Sequence, residues 1–177
     1  MTSCEGVFKT GVLFAVLALP VTLVALVLPW WAYTETDFFG ETWKANLGLW
    51  KWCRKTTDVN GESATACRSF TSPEDYIVTS RCLLIFAFLL LVLGLIAVSA
   101  QKWFLQELVF LAFLGPLIVC IAGCLSLVAA ATYADKYVKT PGNKPRDIHA
   151  GWMMAVASSA ICFLSGTLFA ARKIGEK

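Results

Sequence analysis

Cysteines carry most of the reactive chemistry this chain could perform, and their surroundings sort the seven of them into separate groups. Cys53 and Cys67 are the two that share a long polar stretch, with Lys51, Arg54, Lys55 and Arg68 clustered around them. An isolated pair in a polar loop reads as a disulfide formed in an oxidising compartment. Closing a loop of about 15 residues removes unfolded-state entropy worth ~3 kcal/mol. Cys120 and Cys124 have helical spacing suited to two metal ligands, but no His or carboxylate lies at comparable depth, so they read as small packing residues and no metal is expected. Cys4 is a candidate for palmitoylation, and His149, with no recognisable partner, reads as structural or solvated. There is no Gly-rich phosphate loop, no His-Glu-x-x-His and no nucleophile elbow. Nor is there an extended basic region with the motifs of a nucleic-acid binder. Neither an enzyme nor a cofactor is expected.

The elements that must position these residues are set by apolarity. The chain is 58% hydrophobic and 15% charged, with mean hydropathy +0.67, more apolar surface than a soluble domain of 177 residues can hide. A helix needs about 20 mostly apolar residues to cross a bilayer. Four segments qualify, at about residues 8–31, 79–100, 108–134 and 148–171, separated by a long loop at 32–78, a turn at 101–107 and a second loop at 135–147, with a tail at 172–177. The first is not read as a cleaved signal peptide: its run is too long, and it ends in Pro29-Trp30-Trp31, where paired Trp suits a membrane interface rather than a cleavage site. The runs from Cys82 to Ala100, Leu108 to Ala134 and Gly151 to Ala171 contain no ionisable side chain. A transport or conduction path through the bundle would need polar groups there. Pro20 and Pro116 read as packing kinks within helices. On the last segment, Ser158, Cys162, Gly166 and Ala170 form one small-residue line and Gly151, Ala155 and Ser159 another. Such lines let helix backbones approach closely in lipid. They predict a compact left-handed four-helix bundle.

The long loop has a different texture. Tyr33 to Phe39 and Thr42 to Cys53 mix aromatic, Thr and charged residues in partial alternation, which predicts short strands. Asn60-Gly61 is a turn signal, so Cys53 and Cys67 are expected to flank a hairpin. Trp30, Leu49 and Trp50 would give this small sheet a core by dropping apolar rings toward the helix ends. Arg81, at the mouth of the second segment, would donate to loop carbonyls or lipid phosphate. A count of basic residues alone favours placing both larger loops in the cytoplasm, since Lys44, Lys51, Arg54, Lys55, Arg68, Lys136, Lys139, Lys144 and Arg146 lie there. The cysteine pair points the other way.

In order and nearly in spacing, Trp30, Gly48-Leu49-Trp50, Cys53, Cys67 and Arg81 resemble the Trp, Gly-Leu-Trp, Cys, Cys, Arg signature of the claudin superfamily. That group also holds peripheral myelin, epithelial membrane and lens fibre membrane proteins and calcium-channel gamma subunits. Gly151-Trp152, the small-residue run and the basic stop at Arg172-Lys173 also look like the claudin fourth helix. The resemblance implies an α-helical membrane protein: a left-handed four-transmembrane-helix bundle carrying a small extracellular antiparallel β-sheet of about five strands, one of them from the second loop. It implies both larger loops outside, both termini cytoplasmic, and a plasma-membrane location at cell junctions. The implied function is a tetraspan junction protein that forms or tunes a paracellular barrier or channel, binding itself or similar proteins in cis and in trans. Lys51, Arg54, Lys55 and Arg68 would then face the intercellular gap and disfavour small cations. The alternatives are an auxiliary subunit gripping a channel or receptor, or a myelin- or lens-type adhesion protein. Claudins end in a Tyr-Val-type PDZ ligand, whereas this chain stops at Ile174-Gly175-Glu176-Lys177, so a PDZ scaffold is not expected.

Overall fold

A computed structural model of the chain describes residues 2–38, 41–57, 61–103, 109–139 and 148–175. Four helices form where the apolar runs lie, because a backbone in hydrocarbon must satisfy its own hydrogen bonds. They are α1 (Thr2–Val27), α2 (Asp75–Trp103), α3 (Val109–Lys139) and α4 (Ala150–Gly175), and each is long and apolar enough to cross a membrane. Pro20 and Pro116 sit inside helices that continue through them. Between α1 and α2 lie four strands, β1 (Ala32–Phe38), β2 (Glu41–Leu47), β3 (Lys51–Thr57) and β4 (Ser63–Ser69).

The helix ends differ from the hydropathy reading by up to six residues, and two of them bear on the sheet. The helix α1 ends at Val27 rather than running through Trp31, because the residue before Pro29 is pushed toward extended backbone and Pro offers no N–H. Trp30 and Trp31 therefore form an elbow past the helix. At the other limit α3 continues to Lys139, beyond the last apolar residue of its run. Tyr133 and Tyr137, four residues apart, stack at 6.0 Å between centroids and are both buried, while Asp135 and Lys139 pair at 2.7 Å on the exposed side. Helix-spaced pairs of both kinds extend the helix past its apolar run.

In the bundle, α1 packs mainly on α4, α4 on α3 and α3 on α2, with a lighter α1–α2 contact closing the ring. The interior is built largely from small side chains, such as Ala15, Ala18, Ala25, Ala122, Ala129, Ala130 and Ala155. Both small-residue lines of α4 face inward, except that Ala170 is exposed. Several buried hydroxyls bond between helices: Ser126 donates to the Ala155 carbonyl at 2.9 Å, Ser165 to that of Gly11 at 2.8 Å, Ser80 to that of Ala129 at 3.2 Å, and Thr22 bonds Ser158. These bonds take the place of a hydrophobic drive that lipid does not supply.

The strands form a four-stranded antiparallel meander in the order β1-β2-β3-β4, with Tyr33 opposite Asn46, Asn46 opposite Cys53 and Cys53 opposite Cys67. The family resemblance predicts about five strands, one of them from the second loop; among the described residues there are four, all from the long loop, and just past the second loop Ile148 bridges Ala32. Gly61, with φ of 80°, takes the left-handed conformation that a tight turn between β3 and β4 requires. Asn60, the other half of that turn signal, and residues 140–147 lie outside the described residues.

At Gly166 an added Cβ would lie 2.4 Å from Cys120 Sγ and 3.3 Å from the Pro116 carbonyl oxygen. Replacing Gly166 with Leu is expected to destabilise the α3–α4 packing by about 1–3 kcal/mol, read as a lower unfolding temperature in detergent. A Gly166→Leu protein as stable as the parent would show that this face does not carry the packing.

Candidate functional site

The β2–β3 corner, Gly48-Leu49-Trp50, is where the sheet meets the bundle. An added Cβ at Gly48 would lie 2.4 Å from Pro29 Cα, so only glycine allows the corner to close on the end of α1. This approach aligns the Gly48 N–H with the Lys51 carbonyl at 3.0 Å. Leu49 is fully buried among Trp31, Leu84 and Tyr133, a plug in the open end of the bundle. Trp50 stays half exposed, but its indole N–H donates to the Leu26 carbonyl at 2.7 Å.

That bond has a counterpart on the other side of the same helix end. The Trp31 indole donates to the Ala25 carbonyl at 2.7 Å. The last carbonyls of any helix lack intrahelical partners; here two tryptophans supply them. The motif maps its first tryptophan to Trp30, yet Trp30 is 50% exposed and Trp31 is 0% exposed, so the packing role belongs to Trp31. Trp30 contributes through its backbone, its carbonyl accepting from Gly151 N–H at 2.7 Å. Gly151 is glycine because an added Cβ would meet the Trp31 ring at 2.5 Å. Trp152 ties α4 to α3, donating to the Ala130 carbonyl within that helix at 2.8 Å. Adjacent tryptophans cannot be ranked by type alone, because the burial of each depends on the elbow at Pro29.

Arg81 lies two turns into α2. Its Nε donates to the Leu49 carbonyl at 2.7 Å, and its guanidinium lies 4.8 Å from the centroid of the Trp50 ring. Of the two acceptors expected for it, the loop carbonyl is the one it holds. The structure thus brings Gly48, Leu49, Trp50 and Arg81 together as one seat, with Trp31 in the place expected of Trp30.

Cys53 and Cys67 are joined in a disulfide. The basic residues around them are not one cluster. Alternation puts Lys51 and Lys55 on the face that carries the disulfide, and Arg54 and Arg68 on the opposite face with Trp43 and Trp52. Lys51 and Lys55 are exposed, whereas Arg54 is half-buried, its guanidinium 3.2 Å from the centroid of the Trp43 ring. Sequence proximity had hidden the period of two.

On the disulfide face Lys44 stands directly opposite Lys55. Like charges facing across strands destabilise a sheet, and Glu35, opposite Lys44 on its other side, offsets this by pairing with it at 2.9 Å. Hydrogen bonds from Lys44 and then from Tyr33 hold the Glu35 carboxyl below the usual carboxylate range, and Glu35 raises Lys44. Because the folded-state pKa of Glu35 is depressed, its contribution is present above the ordinary carboxylate pKa and is lost as pH falls through the lowered one. It is an exposed pair, so it sets local charge more than stability.

Elsewhere, the His149 ring lies edge-on to Tyr33 at 5.4 Å and the His149 backbone N–H donates to the Trp31 carbonyl at 2.9 Å, a role in joining α4 to the elbow. Cys120 lies against Gly166 and Cys124 is exposed. The side chain of Cys4 lies outside the described residues.

The model of the PMP-22/EMP/MP20/Claudin family matches residues 5–169. The chain belongs to that family, and its four spanning helices and antiparallel sheet are the family's fold. A search of curated proteins finds no match to the chain.

Two changes at the seat are separable. Trp50→Phe keeps the ring but loses the donor to Leu26, and is expected to cost about 1 kcal/mol; Cys53→Ser with Cys67→Ser is expected to cost ~3 kcal/mol through the unfolded chain. Unfolding in detergent, with and without reductant, measures both. Reductant should lower the parent to the level of the double Ser variant and leave that variant unchanged.

Proposed function

We propose that this protein is a junctional tetraspan that displays its sheet outside the cell, where it engages copies of itself or similar family members on the same and the facing membrane and tunes the paracellular barrier. The single observation that carries the reading is the attachment of the sheet. It is seated on the bundle by one corner and the Arg81, Trp31 and Trp50 bonds, while the last strand, β4, is exposed along its whole length. A rigid mount with a free outer edge suits contact with neighbours. The disulfide supports the exterior placement, since such bonds persist in oxidising spaces. Both termini are then cytoplasmic, against the simple count of basic residues. The packed, hydroxyl-bonded bundle interior supports action through the sheet rather than conduction through the helices.

The exposed charge offered to the gap is Lys51 and Lys55 on the disulfide face and Arg68 on the opposite face, with Lys44 neutralised by Glu35; Arg54 is tied to Trp43 and acts as a strut. Fixed positive charge in a narrow aqueous gap attracts anions and disfavours small cations.

In a junction-free cell line, the expressed protein is expected to concentrate at contacts, and a Cys introduced at Thr65 on the outer strand to react with an impermeant thiol reagent on intact cells. Labelling only after permeabilisation would reverse the topology and overturn the reading. Dispersal over the surface with co-purification of a larger channel would favour the auxiliary-subunit alternative. In a resistive cell layer, Lys51→Gln with Lys55→Gln should raise the cation-to-anion permeability ratio, with a smaller change for Arg54→Gln. An unchanged ratio in the double variant would remove the charge argument.

A further inference from the structure

A cavity of about 500 Å³ opens between α2 and α3 at the sheet end of the bundle, lined by Glu74, Asp75, Tyr76, Thr79, Thr132 and Lys136. It belongs neither to the seat nor to the disulfide face. Its charges are of both signs and arise from different elements: two carboxylates and a tyrosine ring at the start of α2, one ammonium group and a threonine hydroxyl on the last turns of α3. The Thr79 hydroxyl donates to the Asp75 carbonyl one turn earlier, at 2.8 Å, along the cavity wall.

What lies next to the cavity decides its ligand. One and two turns along α2 from Thr79, Cys82 and Phe86 are exposed, followed by Leu89, Leu93 and Ile96; one turn from Thr132 on α3, Val128 is exposed, and Ile121 follows. A mixed-charge recess thus sits at the head of an apolar face, at the level where the ionisable-free stretch of α2 begins. A soluble ion would need the recess alone. A lipid uses both parts.

We propose that this cavity holds the headgroup of a zwitterionic phospholipid in the leaflet on the sheet side, its acyl chains lying along the exposed α2–α3 face. The quaternary or primary amine meets the Glu74 and Asp75 carboxylates and the Tyr76 ring, since aromatic faces attract such cations. The phosphate meets Lys136 and the Thr132 hydroxyl, with the positive end of the α2 dipole beside it. An anionic phospholipid without an amine also meets the lysine but leaves the two carboxylates facing a negative charge, so it binds less well.

The test uses the full chain purified in detergent, with retained lipid counted by native mass spectrometry after equal exposure to phosphatidylcholine and phosphatidylglycerol. The parent should retain phosphatidylcholine about tenfold better, the scale of one charge-assisted contact. Glu74→Gln with Asp75→Asn should remove this preference by lowering phosphatidylcholine alone, and Lys136→Gln should lower both lipids. All these side chains are exposed, and unfolding temperature identifies any variant that fails to fold; the comparison of the two lipids on the parent stands without variants. Equal retention by the parent, or folded variants that keep the parental profile, would overturn the proposal. Free phosphocholine that displaces the lipid at equal concentration would overturn the assignment to a lipid rather than a soluble headgroup.

Discussion

A helix that stops at a membrane surface leaves its last carbonyls unpaired, and the way α1 resolves this governs everything built above it. The Ala25 and Leu26 carbonyls accept from the indoles of Trp31 and Trp50, one belonging to the elbow that starts the sheet and the other to the corner in its middle. Satisfying one helix end thereby fixes two points of the strand layer. Arg81 adds the third by holding the Leu49 carbonyl from α2. Unpaired backbone groups at this depth are costly, so the seat is defined by hydrogen-bond completion as much as by packing.

The sheet above has little core of its own. Strand β4 is exposed along its whole length, and the buried side chains of the layer gather at its base, where Ala32 and Leu49 join Trp31, Tyr133 and Tyr137. The extension of α3 past the apolar run has a purpose in this setting. It raises Tyr137 to donate toward the Tyr33 carbonyl at 3.4 Å, so that one helix props the first strand from below. The disulfide then restrains the far hairpin by joining β3 to β4. Attachment at the base and covalent restraint beyond it leave the β4 edge braced but exposed.

Residue types and their order were enough to read the membrane class, the four spans, the strand-forming loop, the cysteine pair and the family signature, because each is a local property: length of an apolar run, alternation, or a motif in which Gly48 and Arg81 are recognisable by themselves. The tertiary structure decided what depends on which face a residue shares. The basic residues, contiguous as Lys51, Arg54 and Lys55, were divided between two surfaces by strand alternation, and Arg54 was committed to Trp43 across the sheet. The choice of Trp31 over Trp30 waited on the direction the chain takes after Pro29. The α2–α3 cavity unites Asp75 with Lys136, far apart in the chain, and no local pattern marks such a meeting. Local free energies are written along the sequence; the pairing of distant groups is set by packing, which exists only once the chain has folded.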